Sequence, residues 1–238
     1  MVAIFVALMF VGFVLMDLVV ERNRARRAAI VQSHVASAKA PITEPEVSMG
    51  LPWTLPQGVY VSESHAWFKP DPSGVVRVGA DALLVHAMGK VNSVTLPKLG
   101  GPVMAGQPMF QVEREGCVLT VPSLVTAKVV AVNERLRQEP QLVAAEPYGT
   151  GWVCAVIPTQ LDDGSGRLRV GEKAAFWLEC EFERFRDFVC SRIAPDLVLG
   201  ATSLDGGLPA LGALTQLENS VWGEFQREFL LPRSNSTT

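Results

Sequence analysis

An almost wholly apolar run covers residues 2–20, and Asp17 is its one charged residue. At a rise of about 1.5 Å per residue, a helix of roughly 19 residues crosses the hydrocarbon core of a bilayer. A cleaved signal peptide, the competing interpretation, needs a basic start and a small-residue cleavage site. No Lys or Arg precedes this run, and basic residues follow it instead: Arg22, Arg24, Arg26 and Arg27. The pattern therefore favours a single-pass transmembrane anchor, which with its basic flank occupies residues 1–27.

The arginines after the span also predict its orientation. Basic residues next to a transmembrane helix are retained on the cytoplasmic side. We therefore expect the N-terminus outside and the rest of the chain in the cytoplasm. Asp17 either faces a partner helix or reaches the membrane interface, and the sequence leaves both open. Residues 28–57 are small and polar with several prolines, which indicates an extended linker.

Short apolar runs separated by Gly/Pro turns fill residues 58–161, which predicts a β domain. The clearest of them form a hairpin, in which 110–112 and 117–121 flank the charged turn 113–116. Two short helices are expected at 80–87 and 134–138. The runs predicted to be strands are 59–61, 66–68, 75–78, 90–96, 109–112, 117–121, 127–132 and 152–157.

Residues 162–238 predict a C-terminal helical extension with two amphipathic helices. In the first, over 171–193, apolar side chains recur at spacings of three and four: Leu178, Phe182, Phe185, Phe188 and Val189. In the second, a capping-box pattern from Thr215 to Glu218 is expected to start the helix. Its apolar side consists of Leu217, Val221, Trp222, Phe225 and Phe229. These stripes must be buried against each other, the β domain or a partner, and packing within the chain is favoured.

Composition narrows the possible functions. The 238 residues carry a net charge of −3, so no broad basic surface indicates nucleic-acid binding. The four cysteines form no C-x-x-C pair and are expected to be structural thiols in a reducing compartment. His34, His65 and His86 show no metal-ligand spacing. The sequence contains no catalytic triad order, phosphate loop or paired carboxylates, so we predict no catalytic, cofactor-binding or metal-ligating residue.

Residues 58–161 resemble the glycine cleavage system H proteins. The matching segments occur in the family's order: 60–67, 78–81, 88–91, 96–100, 112–113, 129–134, 142–143 and 147–152. The resemblance implies a lipoyl-type barrel-sandwich hybrid with short helices. It also implies that His65 and Trp67 are structural and that the aromatic residues of the turn 147–152 pack into the domain. We expect the glycines of that turn to adopt positive φ angles.

The family's lipoyl-lysine position falls on Gly116. In that family a lysine at the hairpin tip carries lipoic acid, and Glu113 matches the acidic residue that precedes it. Glycine has no amine to acylate, so we expect no lipoylation there. Two residues keep a covalent-carrier alternative open: Cys117, next to the lost lysine, and Lys128, one of the nearest lysines with Lys90 and Lys98. The acidic neighbours of Cys117 oppose thiolate formation.

The expected function is a membrane-tethered, non-lipoylated binding or assembly module and not an enzyme. Its expected contacts are membrane lipid through residues 2–20 and protein partners that the sequence does not identify. An efflux-pump adaptor would also join one span to a lipoyl-type fold. Such adaptors carry a long helical hairpin within the lipoyl motif, and residues 117–130 leave no room for it.

Overall fold

The computed structural model describes residues 46–47, 55–160, 168–192 and 209–231. The predicted membrane span at 2–20 and its basic flank lie outside the described residues. Within the described ranges, no helix combines the length and apolar character needed to cross a bilayer. The described chain is mainly β with short helices, as the sequence predicts.

The described strands are short and antiparallel. In chain order they are β1 (Glu46–Val47), β2 (Leu55–Pro56), β3 (Tyr60–Val61), β4 (Ala66–Pro70), β5 (Val76–Ala80), β6 (Ser93–Thr95), β7 (Pro102–Val103), β8 (Pro108–Arg114), β9 (Cys117–Pro122), β10 (Thr126–Val132), β11 (Cys154–Gln160) and β12 (Arg169–Val170). Each of the eight predicted runs coincides with one of them. The four unpredicted strands, β1, β2, β7 and β12, have two residues each and are too short to show an alternating pattern.

Two sheets form the body of the β domain. The larger has seven strands in the order β12-β3-β4-β5-β11-β10-β7, and the smaller has three in the order β6-β8-β9. β1 and β2 pair separately. The predicted hairpin is β8–β9, and it lies in the smaller sheet with β9 at one edge.

The described helices are α1 (Ala82–Met88), α2 (Leu142–Ala145), α3 (Glu172–Cys190) and α4 (Asn219–Phe225), with 3₁₀ turns at Glu134–Arg137 and Ala213–Gln216 and a π-helical turn at Gln226–Leu230. α1 confirms the helix predicted at 80–87, and all seven of its residues are buried. Asp81 caps it by accepting the Leu84 N–H at 3.1 Å.

The turn at 147–152 packs against this helix and against β4. The Trp67 indole donates to the carbonyl of Pro147 at 2.9 Å, and the Tyr148 hydroxyl accepts the N–H of Ala82 at 3.1 Å. The aromatic residues of the turn pack as predicted. The expectation of positive φ angles at its glycines, Gly149 and Gly151, is wrong. Gly151 is required for space, because a Cβ there would overlap the carbonyl oxygens of Leu142 and Glu146.

The two C-terminal helices bury their aromatic stripes within the chain, as predicted. Phe225 and Phe229 stack with ring centroids 4.7 Å apart. Phe185 and Phe188 of α3 meet them edge-on at 5.4–6.1 Å. All four rings are at most 5% exposed, so they form one aromatic cluster between the helices.

The predicted capping box at Thr215–Glu218 is wrong. Thr215 lies in the 3₁₀ turn, and its hydroxyl donates to the carbonyl of Gly212 at 2.7 Å. Leu217 is extended and separates that turn from α4, which begins at Asn219 without a side-chain cap. The glycine at 212, with a φ of 76°, starts the 3₁₀ turn and so removes Thr215 from the helix start.

Candidate functional site

The tip of the β8–β9 hairpin is a two-residue turn formed by Glu115 and Gly116. Arg114 pairs with Cys117 on either side of it. Both turn residues have positive φ, 51° at Glu115 and 84° at Gly116, which is the type I′ geometry that matches the twist of paired strands. The tip residues are exposed to solvent.

Glu113 supports this turn from the preceding strand. Its carboxylate accepts the Gly116 N–H at 3.3 Å and the Ser93 hydroxyl at 2.5 Å. The side chain therefore ties the hairpin tip to strand β6. This contact gives Glu113 a structural role that does not need a lysine at the tip.

Gly116 supplies a backbone conformation and no chemistry. A Cβ there would meet no atom within 4 Å, so the surroundings leave room for a side chain. The φ of 84° is what makes a non-glycine residue unfavourable. The described tip accordingly presents no amine or other nucleophile at the family's attachment position.

Two substitutions in this turn are expected to change stability in opposite directions. Gly116→Ala should lower the free energy of unfolding by about 1 kcal/mol, because alanine must adopt a positive φ. Glu115→Asn should raise it by about 0.5 kcal/mol, since asparagine tolerates that conformation better than glutamate. Urea unfolding of both variants measures the effects, and a shift of the same sign in both would contradict the type I′ assignment.

The alternative attachment residues lie elsewhere. Cys117 is the first residue of β9, is partly buried, and directs its thiol to the Asn219 side-chain oxygen at 3.5 Å. Lys128 is exposed in the middle of β10, where it pairs with Ile157 and Pro102 in the seven-stranded sheet. Lys90 and Lys98 are also exposed. The structure brings none of the three lysines into the hairpin.

The C-terminal extension holds the hairpin from the β9 side, a contact that the sequence did not predict. The Gln226 amide accepts the N–H of Thr120 and donates to its carbonyl, both at 2.7 Å. On the other strand, Arg114 donates to the carbonyl of Met88 at the end of α1 at 2.5 Å. In the sequence, this contact is indicated only by a polar glutamine, Gln226, between the apolar Phe225 and Phe229.

A buried charged cluster connects the β domain to α3. His65 Nδ1 lies 2.8 Å from a carboxylate oxygen of Asp81, and its Nε2 lies 3.7 Å from Glu181. Arg184 approaches the same Glu181 oxygen at 2.9 Å. The His65 ring stacks on Trp177 with centroids 5.2 Å apart. The predicted structural role of His65 is confirmed, and its partners come from two other places in the chain, the start of α1 and helix α3.

Burial alone would lower the pKa of His65, but the charge and hydrogen bond of Asp81, joined by Glu181, raise it to about 9. The imidazole is therefore protonated at neutral pH and neutralises part of the carboxylate charge. Because the pKa exceeds the ordinary 6.5, the folded state holds this proton more tightly than the unfolded state. Its stabilisation is complete below pH 6.5 and is lost as the pH rises through 9.

We expect the free energy of unfolding to fall by a few kcal/mol as the pH rises from 6.5 to 9. The urea midpoint should fall with it. Below this window His86 acts in the opposite direction, because burial lowers its pKa. Above it Cys154 also titrates, since burial raises its pKa to about 12. The slope should disappear in His65→Asn. A slope that persists in the variant would assign the effect to another group.

An apolar cavity of about 160 Å³ opens on the seven-stranded sheet. Its lining includes Tyr60, Phe68, Val76, Leu124, Val156 and Leu168. No charged side chain lines it, so it offers nothing to orient a polar cofactor. In the described part of the chain, no three His, Cys, Asp or Glu residues come together in a group that could hold a metal ion.

Comparison with known proteins links this hairpin domain to one family. The family model described as glycine cleavage H-protein matches residues 59–179, about half of the chain. The glycine cleavage system H protein of Mycolicibacterium vanbaalenii is 39% identical over 99 residues, which cover 42% of this chain and 76% of the relative. That of Listeria welshimeri is 35% identical over 115 residues, covering 48% and 91% respectively.

A solved structure is similar as well. The crystal structure of a glycine cleavage system H protein from Mycobacterium marinum has 30% sequence identity and a TM-score of 0.47. The match covers 52% of this chain and 99% of that one. The family match ends at residue 179, within α3, so Glu181, α4 and the π-helical turn lie beyond it.

Proposed function

Because the chain belongs to the glycine cleavage H-protein family, we propose that it keeps the family's domain without the covalent arm and acts as a binding or assembly module. The observation that carries this proposal is the glycine at position 116, in a turn whose neighbours present no substitute amine. A carrier needs a reactive group at an exposed tip. The tip here provides a positive-φ glycine instead, which favours a role in protein binding over one in group transfer.

The proposed location is the cytoplasmic face of a membrane. Residues 2–20 would be the single-pass anchor, with the N-terminus outside, and residues 28–57 would hold the domain away from the bilayer. The support is the apolar run and the arginines that follow it. In this arrangement the protein is a subunit or accessory of a membrane-associated complex, and not an enzyme.

Membrane attachment is tested by alkaline extraction of membranes from cells that produce the full chain or residues 28–238 alone. We expect the full chain to stay with the membranes and the shortened chain to be released. Release of both would remove the anchor from the proposal. Retention of both would mean that a different part of the chain binds the membrane.

The orientation is tested by adding protease to intact cells. The proposal predicts that residues 58–231 stay intact until the membrane is broken. Their cleavage from outside would overturn the cytoplasmic location. Purification with the anchor intact, compared with residues 28–238, then tests whether protein partners are retained at the membrane.

A further inference from the structure

The apolar cavity of about 160 Å³ lies between the seven-stranded sheet and the connection from β9 to β10. Leu124 and Val125 line it from that connection, which follows the end of β9 opposite the hairpin turn. Strands β3, β4, β5 and β11 line it from the sheet. The cavity is therefore separate from the family's attachment position at Gly116.

The strand register gives the sheet side of the cavity a continuous apolar wall. Tyr60 lies opposite Phe68, Pro70 lies opposite Val76, and Val76 in turn lies opposite Val156. Directly paired residues project from the same face of a sheet, as do residues two apart along one strand, such as Phe68 and Pro70. The five side chains accordingly line the cavity together.

A β-bulge lies beside this wall. Between β10 and β11 the register moves from Thr126 opposite Gln160 to Ala127 opposite Pro158, so Thr159 is the extra residue. Thr159 is exposed, and its hydroxyl donates to the carbonyl of Thr126 at 3.1 Å. Pro158, which lines the cavity, has no N–H. The hydroxyl at the bulge thus bonds to the backbone, and the described residues line the cavity with carbon atoms alone.

This lining decides what the cavity can bind. A hydroxyl or a charged group would lose its hydrogen bonds to water on entry and find none in their place, whereas a hydrocarbon loses none. An apolar protein cavity of about 150 Å³ is large enough to hold benzene. We propose that this cavity binds one hydrocarbon group, a ring or the end of an aliphatic chain, and that any polar part of the ligand stays outside the opening.

The test adds benzene, 1-octanol or phenol to the unit Pro41–Thr238, which is compact by itself and contains the whole cavity. This unit lacks the apolar run 2–20, so it is studied without detergent, whose tails would compete for the cavity. Nuclear Overhauser effects should connect benzene to the methyl groups of Val76, Val125 and Val156, with a dissociation constant of about 1 mM. Phenol should bind at least about 10-fold more weakly, because its hydroxyl has no partner there.

The octanol arm separates a ring from a chain. A chain ligand should show these effects from the terminal methyl of octanol and not from the carbon next to its hydroxyl. Binding of benzene alone assigns a ring, binding of octanol alone assigns a chain, and binding of both supports the shared chemistry. Binding of neither overturns the proposal, and so does phenol that binds as tightly as benzene.

A substitution that fills the cavity confirms the location. Val125→Phe places a larger side chain in the cavity and should abolish benzene binding. Val118→Phe makes the same change at a position of β9 that is 48% exposed, outside the lining, and should leave binding unchanged. A folded Val125→Phe unit that binds benzene as before would overturn the proposal. The Overhauser effects in the unaltered unit locate the ligand without any substitution, so they decide the matter even if Val125→Phe unfolds.

Discussion

Phe225→Ala is expected to lower the free energy of unfolding by about 3–5 kcal/mol. The Phe225 ring is fully buried and contacts Phe185, Phe188 and Phe229 with centroids 4.7–6.1 Å away. Alanine would leave a cavity in the middle of this cluster, which the two helices cannot collapse to fill. The measurement is the urea midpoint, with an unchanged slope showing that the same surface unfolds.

Phe176→Ala is the matched control, because it makes the same chemical change on the outer face of α3. Phe176 is 66% exposed and should change the free energy of unfolding by no more than about 0.5 kcal/mol. Similar small effects at both positions would mean that α4 does not pack on α3. α4 would then be free of α3, contrary to the aromatic cluster described above.

His65→Asn should cost about 3 kcal/mol or more at pH 7. The substitution removes the cation that pairs with Asp81, whose carboxylate is 0% exposed, while Glu181 keeps Arg184 at 2.9 Å. Asparagine is chosen because His65 has a φ of 56°, which asparagine tolerates. The loss therefore reports the uncompensated charge and not backbone strain. Urea unfolding at pH 7 measures it.

Two further variants separate charge from packing at this cluster. Glu183→Gln neutralises an exposed carboxylate on α3, the helix that carries Glu181, and should change the free energy of unfolding little. Adding Asp81→Asn to His65→Asn removes the charge that the loss of His65 leaves unpaired, so the double variant should be more stable than the sum of the single effects predicts. Strict additivity would contradict an ionic coupling between His65 and Asp81.

The sequence predicts what depends on neighbouring residues. The hairpin follows from its apolar runs and turn, and the α3 stripe from spacings of three and four, because local geometry decides which side is buried. The turn type also has a local signal in Gly116. Even the expectation that the C-terminal helices pack within the chain follows from the width of their apolar faces.

What the sequence does not predict depends on contacts between distant elements. Thr120 and Gln226 are 106 residues apart, and nothing near either indicates the other. His65 has no metal-ligand spacing, yet Asp81 and Glu181 reach it from two other elements. The capping-box motif fails for a similar reason, since Gly212 starts a separate turn and moves the helix start to Asn219.

These contacts show how the hairpin is held in a chain that lacks the family's lysine. In the family this hairpin carries a lipoyl group. Here Glu113 holds its tip, Arg114 bonds it to the end of α1, and Gln226 bonds to Thr120 of β9. In our account the domain works through its surfaces and its anchor, while Cys117 and Lys128 stay unmodified. The carrier alternative requires a covalent group on one of those two residues.

Intact-mass spectrometry of the full chain, purified from its own host, tests this difference directly. The account predicts a mass without any adduct of lipoyl size, and no change beyond the substitution itself in Cys117→Ser or Lys128→Arg. An adduct of lipoyl size that disappears in either variant would contradict it and would establish the protein as a carrier.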